Sequence, residues 1–413
     1  MNWDDEVRGG EVSSENEGRG IDRGSQEKRP EYIPFAPPLI SEDEIDEVVD
    51  TLRSGWLTTG PKTKRFEEEF ARYVGSEHAV AVSSCTAAMH LALVAAGVGP
   101  GDEVITTPFT FVSTVNVILH VGATPVFVDI RPDTFNIDAK RIEAAVTSRT
   151  KAILPVHYAG QPCDMEALLA LAADRDLLVV EDAAHAVGAE YCGKKVGGIG
   201  DITCFSFYAT KNLTTGEGGM VTTAHDDMAE RIRILSLHGM HRDAWKRYTA
   251  QGSWFYEVVA PGYKYNMSDI QAALGLRQLE KLDGFQDRRR SIAQRYSERL
   301  GDVPGIEIPY VSPDVRHAWH LYVIQLNPAS LAIEREEFIE ELKAMGIGVS
   351  VHFIPVHLHP YHREALGYSE EDFPVTGSVY RRVVSLPISL RMTDADIDRT
   401  IEAVSLVAHR SAR

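Results

Sequence analysis

Residues 177–185 have the sequence LLVVEDAAH, an apolar run that ends in two acidic residues. An apolar run of this length is typical of a strand that is buried on both faces, as in parallel sheets covered by helices. A carboxylate at the end of such a strand is costly unless it meets a cation, and Asp182 occupies that position. Taken alone, the segment fits a helix N-cap with His185 on a core face equally well.

Short β-rich runs alternate with helical patterns around this segment, from residue 79 to residue 237. The predicted strands are Ala79–Val82, Glu103–Ile105, Pro125–Val128, Ala152–Val156 and Leu177–Val180. The predicted helices between them are Cys85–Ala96, Ser113–Val121, Ala139–Val146 and Met165–Asp174. Because apolar strands joined by helices form mostly parallel sheets with both faces covered, the sequence predicts an α/β fold. Ligands of such folds bind at the carboxyl ends of the strands.

The composition divides the chain into three parts. Residues 1–32 are rich in Gly, Glu, Ser and Arg and nearly free of apolar residues, which predicts a disordered acidic tail. Residues 33–285 are expected to form a large domain in which helices precede the sheet. Residues 286–413 are expected to form a smaller α+β domain. Its predicted elements are a strand at Ala318–Leu326, a helix at Arg335–Met345, a strand at Gly348–His352 and a final helix from Asp394.

Charge and composition exclude several classes of protein. The net charge is −18, and the one tight basic triplet, residues 288–290, lies among charges of both signs. Such a chain repels nucleic acid at long range. The longest apolar run, Leu91–Val98, is too short to span a bilayer, and the N-terminus lacks the pattern of a signal peptide. Four scattered cysteines without a Cys-x-x-Cys pair predict free thiols. We therefore expect a cytoplasmic protein that binds neither nucleic acid nor a membrane.

Two further segments carry side chains suited to chemistry. Residues 83–88, SSCTAA, lie between a strand and a helix, where free N–H groups and a hydroxyl can bind a phosphate. Ordinary N-capping is the alternative. Residues 205–219, FSFYATKNLTTGEGG, place Lys211 after an apolar strand and before a Gly-rich turn. A lysine shielded from water has a lowered pKa and its neutral amine can attack an aldehyde, whereas a surface lysine is the alternative.

The motifs together resemble those of the DegT/DnrJ/EryC1/StrS sugar aminotransferases, which are fold-type I enzymes that use pyridoxal 5'-phosphate (PLP). The resemblance extends from about Ile33 to the C-terminal helix. It is carried by GP at residues 60–61, EDAAH at 181–185, FSF at 205–207 followed by Lys211, and GEGG at 216–219. Independent motifs in the same order make it specific.

The resemblance implies a role for each candidate residue. Lys211 would hold PLP as an imine, Asp182 would contact the pyridine nitrogen, and His185 would lie near the ring hydroxyl, a place often held by Gln. Thr86 with the amide of Ala87, and Ser206, would bind the phosphate. Phe111 would stack on the ring, although ordinary core packing is its alternative.

One segment departs from the family pattern. The common motif is Gly-Tyr-Asn-Tyr-Arg, whose Asn reaches the phosphate of the partner subunit's cofactor, whereas residues 262–266 here are GYKYN. The resemblance therefore implies a homodimer with shared active sites, and it leaves Lys264 and Asn266 as alternative donors across the interface. Substrate contacts are expected from Thr59, His320 and His352, with a loop cap and core packing as the alternatives for Thr59 and His320.

Several segments are similar to the enzymes that form UDP-4-amino-4-deoxy-L-arabinose: residues 106–112, VHYAG at 156–160, GYKYN at 262–266 and HAWH at 317–320. The similarity implies transfer of an amino group from L-glutamate to C4 of a UDP- or dTDP-linked 4-keto sugar. A C3-specific sugar aminotransferase and a non-catalytic sensor remain alternatives. A PLP-dependent sugar dehydratase is disfavoured because it has His where this chain has Lys211. A nicotinamide-dependent enzyme is disfavoured because the Gly-x-Gly-x-x-Gly fingerprint is missing.

A cluster of histidines near the end of the chain resembles a metal site. His352, His357, His359 and His362 fall within eleven residues, but no Cys or acidic ligand accompanies them at useful spacing. Pro355 also breaks regular structure between them. The sequence therefore predicts no metal site.

Overall fold

The computed structural model describes residues 32–240 and 256–413. Apart from residue 32, the segment predicted as a disordered tail lies outside the described residues. Tyr32–Arg413 form one compact unit.

A seven-stranded sheet forms the centre of the described chain. Its strands are β1 His78–Val82, β2 Glu103–Thr106, β3 Thr124–Phe127, β4 Thr150–Ile153, β5 Leu178–Asp182, β8 Ile202–Ser206 and β9 Gly219–Thr223. They lie in the order β1-β9-β8-β5-β4-β2-β3 across the sheet. Only β9 runs antiparallel to its neighbours β1 and β8. The remaining neighbours pair in parallel, which confirms the predicted mostly parallel sheet.

Helices cover both faces of this sheet. Those of the first part of the chain are α1 Glu42–Ser54, α2 Pro61–Val74, α3 Cys85–Ala95, α4 Val112–His120, α5 Ala139–Ile142, α6 Met165–Arg175 and α7 Asp226–Ser236. A capping box formed by Ser41 and Glu44 is present at the start of α1. Four predicted helices agree with α3, α4, α5 and α6, but α5 is shorter because residues 143–145 tighten into a 3₁₀ turn.

The second part of the chain begins with α8 Asp269–Leu300, a helix of 32 residues. It continues with α9 Arg335–Ala344, α10 Pro360–Leu366, α11 Pro374–Tyr380 and α12 Asp394–Arg410. Strands β10 Ile306–Glu307, β12 Tyr322–Leu326 and β13 Val383–Leu386 form a small antiparallel sheet. A third sheet joins β6 Glu190–Tyr191, β7 Lys194–Lys195 and β11 Val315–Arg316. The predicted domain boundary at residue 285 lies inside α8, and the division into two domains stays a prediction.

Two predicted strands of this second part differ from the structure. Gly348–His352 is not a strand, because this segment makes a single bridge, from Ser350 to Ser385. The strand predicted from Ala318 begins only at Tyr322, since Trp319 has a left-handed backbone with φ of 50°. Both segments instead contribute side chains to the pocket described below.

Aromatic packing orients the strand that precedes Lys211. Phe205 and Phe207 contact Phe66 and Phe70 of α2, with ring centroids 5.1–5.4 Å apart. Successive side chains of a strand alternate between faces, so Ser206 lies on the opposite side from this cluster. Among the described residues, no helix combines the length and the apolar character needed to cross a bilayer.

Candidate active site

A pocket of about 480 Å³ opens where β5 and β8 end and α3 and α4 begin. This is the edge at which ligands of parallel sheets bind, and the volume is in the range of small-molecule sites. The pocket brings together most of the predicted residues, namely Thr86, Phe111, Asp182, His185, Ser206, Lys211, His320 and His352.

Lys211 contributes the amine of the pocket. Its backbone N–H donates to the carbonyl of Tyr208 in the turn that follows β8. Its Nζ lies 3.5 Å from Nε2 of His320. Burial lowers the pKa of Lys211 to about 8, while Cys85 and Asp182 act in the opposite direction. At pH 7 roughly a tenth of this amine is therefore neutral, far more than for a lysine with the ordinary pKa.

Asp182 is a buried carboxylate at the end of β5, with only 4% of its surface exposed. Oδ1 accepts from the amide of Ala184 and Oδ2 accepts from the hydroxyl of Thr114, at 3.1 and 2.8 Å. Burial raises the pKa of Asp182, and these two donors together with the charge of Lys211 oppose that rise. A cationic ring nitrogen in the pocket would supply the partner that a buried carboxylate needs.

Three imidazoles lie beside Lys211. The rings of His185 and His320 are 4.4 Å apart, and Nδ1 of His320 lies 3.2 Å from Oδ1 of Asn212. Nδ1 of His185 is buried without a hydrogen-bond partner. Burial holds the pKa of His185 and of His320 well below the ordinary value, and it lowers that of His352 to about 4. These rings are therefore neutral at pH 7.

The turn at residues 83–88 forms the start of α3. The hydroxyl of Ser84 accepts from the amide of Ala87, so the N-cap that was the alternative interpretation is present. Ala87 does not line the pocket, because its amide is directed to this cap. Thr86 and Ser206 do line the pocket. The first-turn N–H groups of a helix have no intrahelical partner and favour an anion.

Glycines of the GEGG segment, residues 216–219, allow the start of β9 to lie against the turn at residues 83–88. Gly216 has a φ of 78°, which a residue with a side chain rarely adopts. Gly219 has no such angle, but a Cβ there would lie 2.5 Å from the carbonyl carbon of Ser84 and 2.7 Å from the nitrogen of Cys85. The motif therefore reflects close backbone contact between β9 and the turn before α3.

Gly219→Ala should reduce stability by about 1–3 kcal/mol, because the added methyl group overpacks a rigid backbone contact. The free energy of unfolding is measured by urea denaturation. Gly284→Ala is the matched control, since a Cβ on Gly284 meets nothing within 4 Å and alanine is the better helix former. Equal stability of the two variants would contradict the contact between β9 and Ser84.

Phe111 is the residue before α4 and lines the pocket. Its exposed fraction is 57%. Ordinary core packing is therefore wrong for this side chain. The ring centroids of Phe111 and Phe353 are 6.0 Å apart. Phe353 also stacks on His185, with ring centroids 5.7 Å apart. An exposed ring at a pocket wall is suited to stacking on a planar ligand.

Besides Ala87, three predicted residues lie outside the pocket lining. Lys264 donates to Oδ1 of Asn266, and Nδ2 of Asn266 donates to the hydroxyl of Thr59, each over 2.6 Å. Thr59 in turn donates to the carbonyl of Met267 over 2.5 Å. The loop cap expected as the alternative for Thr59 is thus present, and the three residues form a cluster of their own.

The histidines near the end of the chain do not converge on one point. His352 lines the pocket and contacts the hydroxyl of Ser385 through Nδ1, whereas His362 contacts the side-chain oxygen of Asn116. His357 is buried against Phe373, with ring centroids 4.9 Å apart. Within the part of the chain that the structure describes, no group of three or more metal-binding side chains occurs.

The sequence did not reveal every residue that surrounds the pocket. Thr114 holds Asp182, although the two are 68 residues apart. Phe35, Ala36 and Phe353 also line the pocket. They come from segments without a chemical motif, so only their position in the folded chain identifies them.

The pocket fits the cofactor that the sequence suggests. It contains an amine with a lowered pKa, a buried carboxylate that lies near the charges of Lys211 and His157, an unpaired buried imidazole nitrogen and a helix start suited to phosphate. These features match the aldehyde, ring nitrogen, ring hydroxyl and phosphate of PLP, respectively.

Comparison with known proteins gives one consistent result. The sequence model of the DegT/DnrJ/EryC1/StrS aminotransferase family matches residues 38–405. The chain is 57% identical over 379 residues to spore coat polysaccharide biosynthesis protein SpsC of Bacillus subtilis, covering 92% of this chain and 97% of that one.

Solved structures agree with this. The PLP and PMP forms of Spr1654 from Streptococcus pneumoniae, described as a sugar aminotransferase, are 40% identical with a TM-score of 0.86, covering 92% of this chain and 99% of theirs. PseC of Helicobacter pylori, an aminotransferase involved in pseudoaminic acid biosynthesis, is 29% identical with a TM-score of 0.86. The match covers 92% of this chain and 100% of PseC. The predicted fold-type I architecture is confirmed by these similarities.

Proposed function

Because the chain belongs to the DegT/DnrJ/EryC1/StrS aminotransferase family, we propose that it transfers the amino group of L-glutamate to C4 of a nucleotide-linked 4-keto sugar. The observation that carries the proposal is the meeting in one pocket of Lys211, whose pKa is lowered, and the buried carboxylate of Asp182. The amine is suited to proton transfer at a carbon next to nitrogen, and the carboxylate is suited to a positively charged partner.

The predicted cofactor, PLP, is confirmed by the likeness to the PLP and PMP forms of the pneumococcal relative. When bound, PLP supplies an aldehyde for amine exchange and a ring that accepts electron density. Lys211 would hold it covalently, Thr86 and Ser206 would hold its phosphate, and Phe111 would pack on its ring. These roles are proposals that rest on the positions described above.

Lys211 has two tasks in this proposal. Its neutral amine would hold the cofactor covalently, and once free it would move a proton at the α-carbon of the amino donor, first as base and then as acid. The neutral His320 at 3.5 Å accepts a hydrogen bond from this amine without adding a charge. Asp182 keeps the ring nitrogen protonated by supplying a negative charge beside it.

The lowered pKa of Lys211 predicts the pH dependence of cofactor capture. Protonated amine cannot attack an aldehyde, so the rate at which apoprotein takes up PLP should rise with pH and reach half of its maximum near pH 8. Stopped-flow absorbance measures this rate across the pH range. A half-maximum near the ordinary lysine value of 10.5 would contradict the shielding of Lys211.

The sugar substrate is supported by the relatives and by the pocket walls. The Bacillus relative acts in spore coat polysaccharide biosynthesis, and the Helicobacter relative acts in pseudoaminic acid biosynthesis. Neutral imidazoles of His320 and His352 can donate or accept hydrogen bonds from sugar hydroxyls. Phe353 offers an apolar wall beside them. Amination at C4, rather than C3, is supported by the resemblance of residues 106–112 and 156–160 to the enzymes that form UDP-4-amino-4-deoxy-L-arabinose.

A homodimer with shared active sites is part of the proposal. The cluster of Thr59, Lys264 and Asn266 does not line the pocket of its own chain. A partner subunit could receive it, since an amide and an ammonium group are both suited to a phosphate. Phe111 is largely exposed in a single chain, as expected for a ring near an interface.

The test is an assay of purified protein with ¹⁵N-labelled L-glutamate and a panel of UDP- and dTDP-linked 4-keto and 3-keto sugars. Label should appear on C4 of a 4-keto substrate, with 2-oxoglutarate as the second product. NMR identifies the labelled carbon. Label on C3, or a protein that consumes glutamate without aminating any sugar of the panel, would contradict the proposal. A protein that binds PLP but ignores glutamate would instead favour the sensor.

A further inference from the structure

A chain of two threonine hydroxyls leads to the carboxylate of Asp182. Thr114 Oγ1 donates to Asp182 Oδ2 over 2.8 Å, and the hydroxyls of Thr110 and Thr114 are also 2.8 Å apart. All three residues are buried. An ionised carboxylate only accepts hydrogen bonds, so the single proton of Thr114 points to Asp182 and Thr110 donates to Thr114.

The carboxylate is held from two sides. Oδ2 receives the Thr114 hydroxyl, and Oδ1 receives the amide of Ala184 over 3.1 Å. These donors restrict rotation about the bond that joins the carboxylate to its side chain, because turning the group would break both hydrogen bonds. A carboxylate has about four acceptor positions, so further ones stay open to a donor in the pocket that Asp182 lines.

The same segment also carries the candidate stacking residue. Thr110 and Phe111 line the pocket, and Thr114 lies in the first turn of α4. One short stretch of chain therefore places an aromatic ring at the pocket wall and a hydrogen-bond donor on Asp182. A ligand ring packed on Phe111 would thus meet the carboxylate in a fixed register.

We propose that Thr114, itself oriented by Thr110, is a positioning residue that fixes the rotation of the Asp182 carboxylate toward the ring nitrogen of the cofactor. The inference rests on the proposed function, in which the Asp182 carboxylate contacts the ring nitrogen of the cofactor. It concerns residues that act through Asp182 and do not themselves contact the reacting atoms.

Electrostatics supports the same role. Burial raises the pKa of Asp182, and the Thr114 hydroxyl acts against that rise. A hydroxyl that is itself hydrogen-bonded is a stronger donor, so Thr110 adds to the effect. The other titratable groups near this carboxylate are Lys211, His157, Cys85 and Cys204. None of them changes when Thr114 is replaced.

Thr114→Val removes the hydroxyl and preserves the branched shape, whereas Thr114→Ser preserves the hydroxyl. A hydrogen bond to a charged group is strong enough to change an equilibrium by about tenfold or more. In Thr114→Val we expect the dissociation constant of PLP from apoprotein to rise about tenfold and kcat to fall about tenfold, with KM for the amino donor unchanged. PLP affinity is expected to fall at low pH, where Asp182 becomes protonated. The midpoint of this fall, the acid limb of cofactor binding, should move up by about one pH unit. Thr114→Ser should restore all of these within about twofold.

Two further variants separate positioning from stability. Thr110→Val should shift the acid limb in the same direction but less, because Thr114 can still donate. Thr222→Val is the matched control, since the Thr222 hydroxyl is buried and donates to the carbonyl of Gly197, away from the pocket. It should alter the melting temperature alone. If Thr114→Val does not fold, the comparison of Thr110→Val with Thr114→Ser decides.

The inference is overturned if Thr114→Val, or Thr110→Val in its place, leaves PLP affinity and the acid limb as in the unchanged protein. It is also overturned if Thr222→Val moves them equally, because the effect would then be general destabilisation. Failure of the proposed function looks different. In that case the unchanged protein would aminate no 4-keto sugar of the panel, whatever the threonine variants do to PLP binding.

Discussion

Lys211→Ala should reduce turnover by at least about 10³-fold, because the variant loses both the nucleophile that holds the cofactor and the group that moves the proton. Proton transfer by a positioned side chain contributes about 10²–10⁴-fold by itself. The measurement is the steady-state rate of 2-oxoglutarate formation from L-glutamate and the best sugar of the panel.

The groups that surround Lys211 are poor replacements for its amine. A loss of turnover much smaller than about 10³-fold would therefore be inconsistent with the structure. The pocket contains no other lysine or arginine among its described lining residues. The nearby imidazoles of His185 and His320 have strongly lowered pKa values and are poor replacements for an amine. Lys151→Ala is the matched control, since Lys151 is exposed on β4. Activity of Lys211→Ala within tenfold of the control would remove Lys211 from the reaction.

Asp182→Asn should slow turnover by about 10²–10³-fold while leaving PLP bound. Loss of one preorganised electrostatic partner of developing charge costs about this much. An amide has the size of the carboxylate, so the contacts with Thr114 and Ala184 can be retained in altered form. The variant would lack the negative charge that keeps a ring nitrogen protonated. The steady-state rate and the absorbance of bound cofactor measure the two effects.

Asp129→Asn is the control for damage to a buried carboxylate. Asp129 is 4% exposed and accepts from the amide and the hydroxyl of Thr376, outside the pocket. We expect this variant to lose stability with little change of rate per folded molecule. Equal rates for Asp182→Asn and the unchanged protein would show that the carboxylate does not act on the cofactor.

The sequence was sufficient to predict the sheet, apart from β9, because its information there is local. Leu178–Val180 is apolar throughout, and the helices that follow β1 and β4 begin at side-chain caps, Ser84 and Asp164. Such patterns depend on a few consecutive residues. Lys211 and Asp182 could be identified for the same reason, since each follows directly from the strand that carries it.

Other features depend on distant parts of the chain. The donor to Asp182 is Thr114, and nothing in residues 110–114 indicates which carboxylate their hydroxyls meet. The amide of Ala87 was expected in the pocket, but the Ser84 hydroxyl engages it, a competition between capping and ligand binding that sequence alone leaves open. Gly348–His352 alternates like a strand, yet only Ser350 forms a β-bridge.

The covalent role of Lys211 is tested most directly by chemical trapping. The protein is saturated with PLP, reduced with borohydride to make the carbon–nitrogen bond between cofactor and lysine permanent, digested, and examined by mass spectrometry. The predicted result is the cofactor mass on the peptide that contains Lys211, at a stoichiometry near one per chain. Cofactor mass on another lysine, or a protein that binds PLP and yields no modified peptide, would contradict the account.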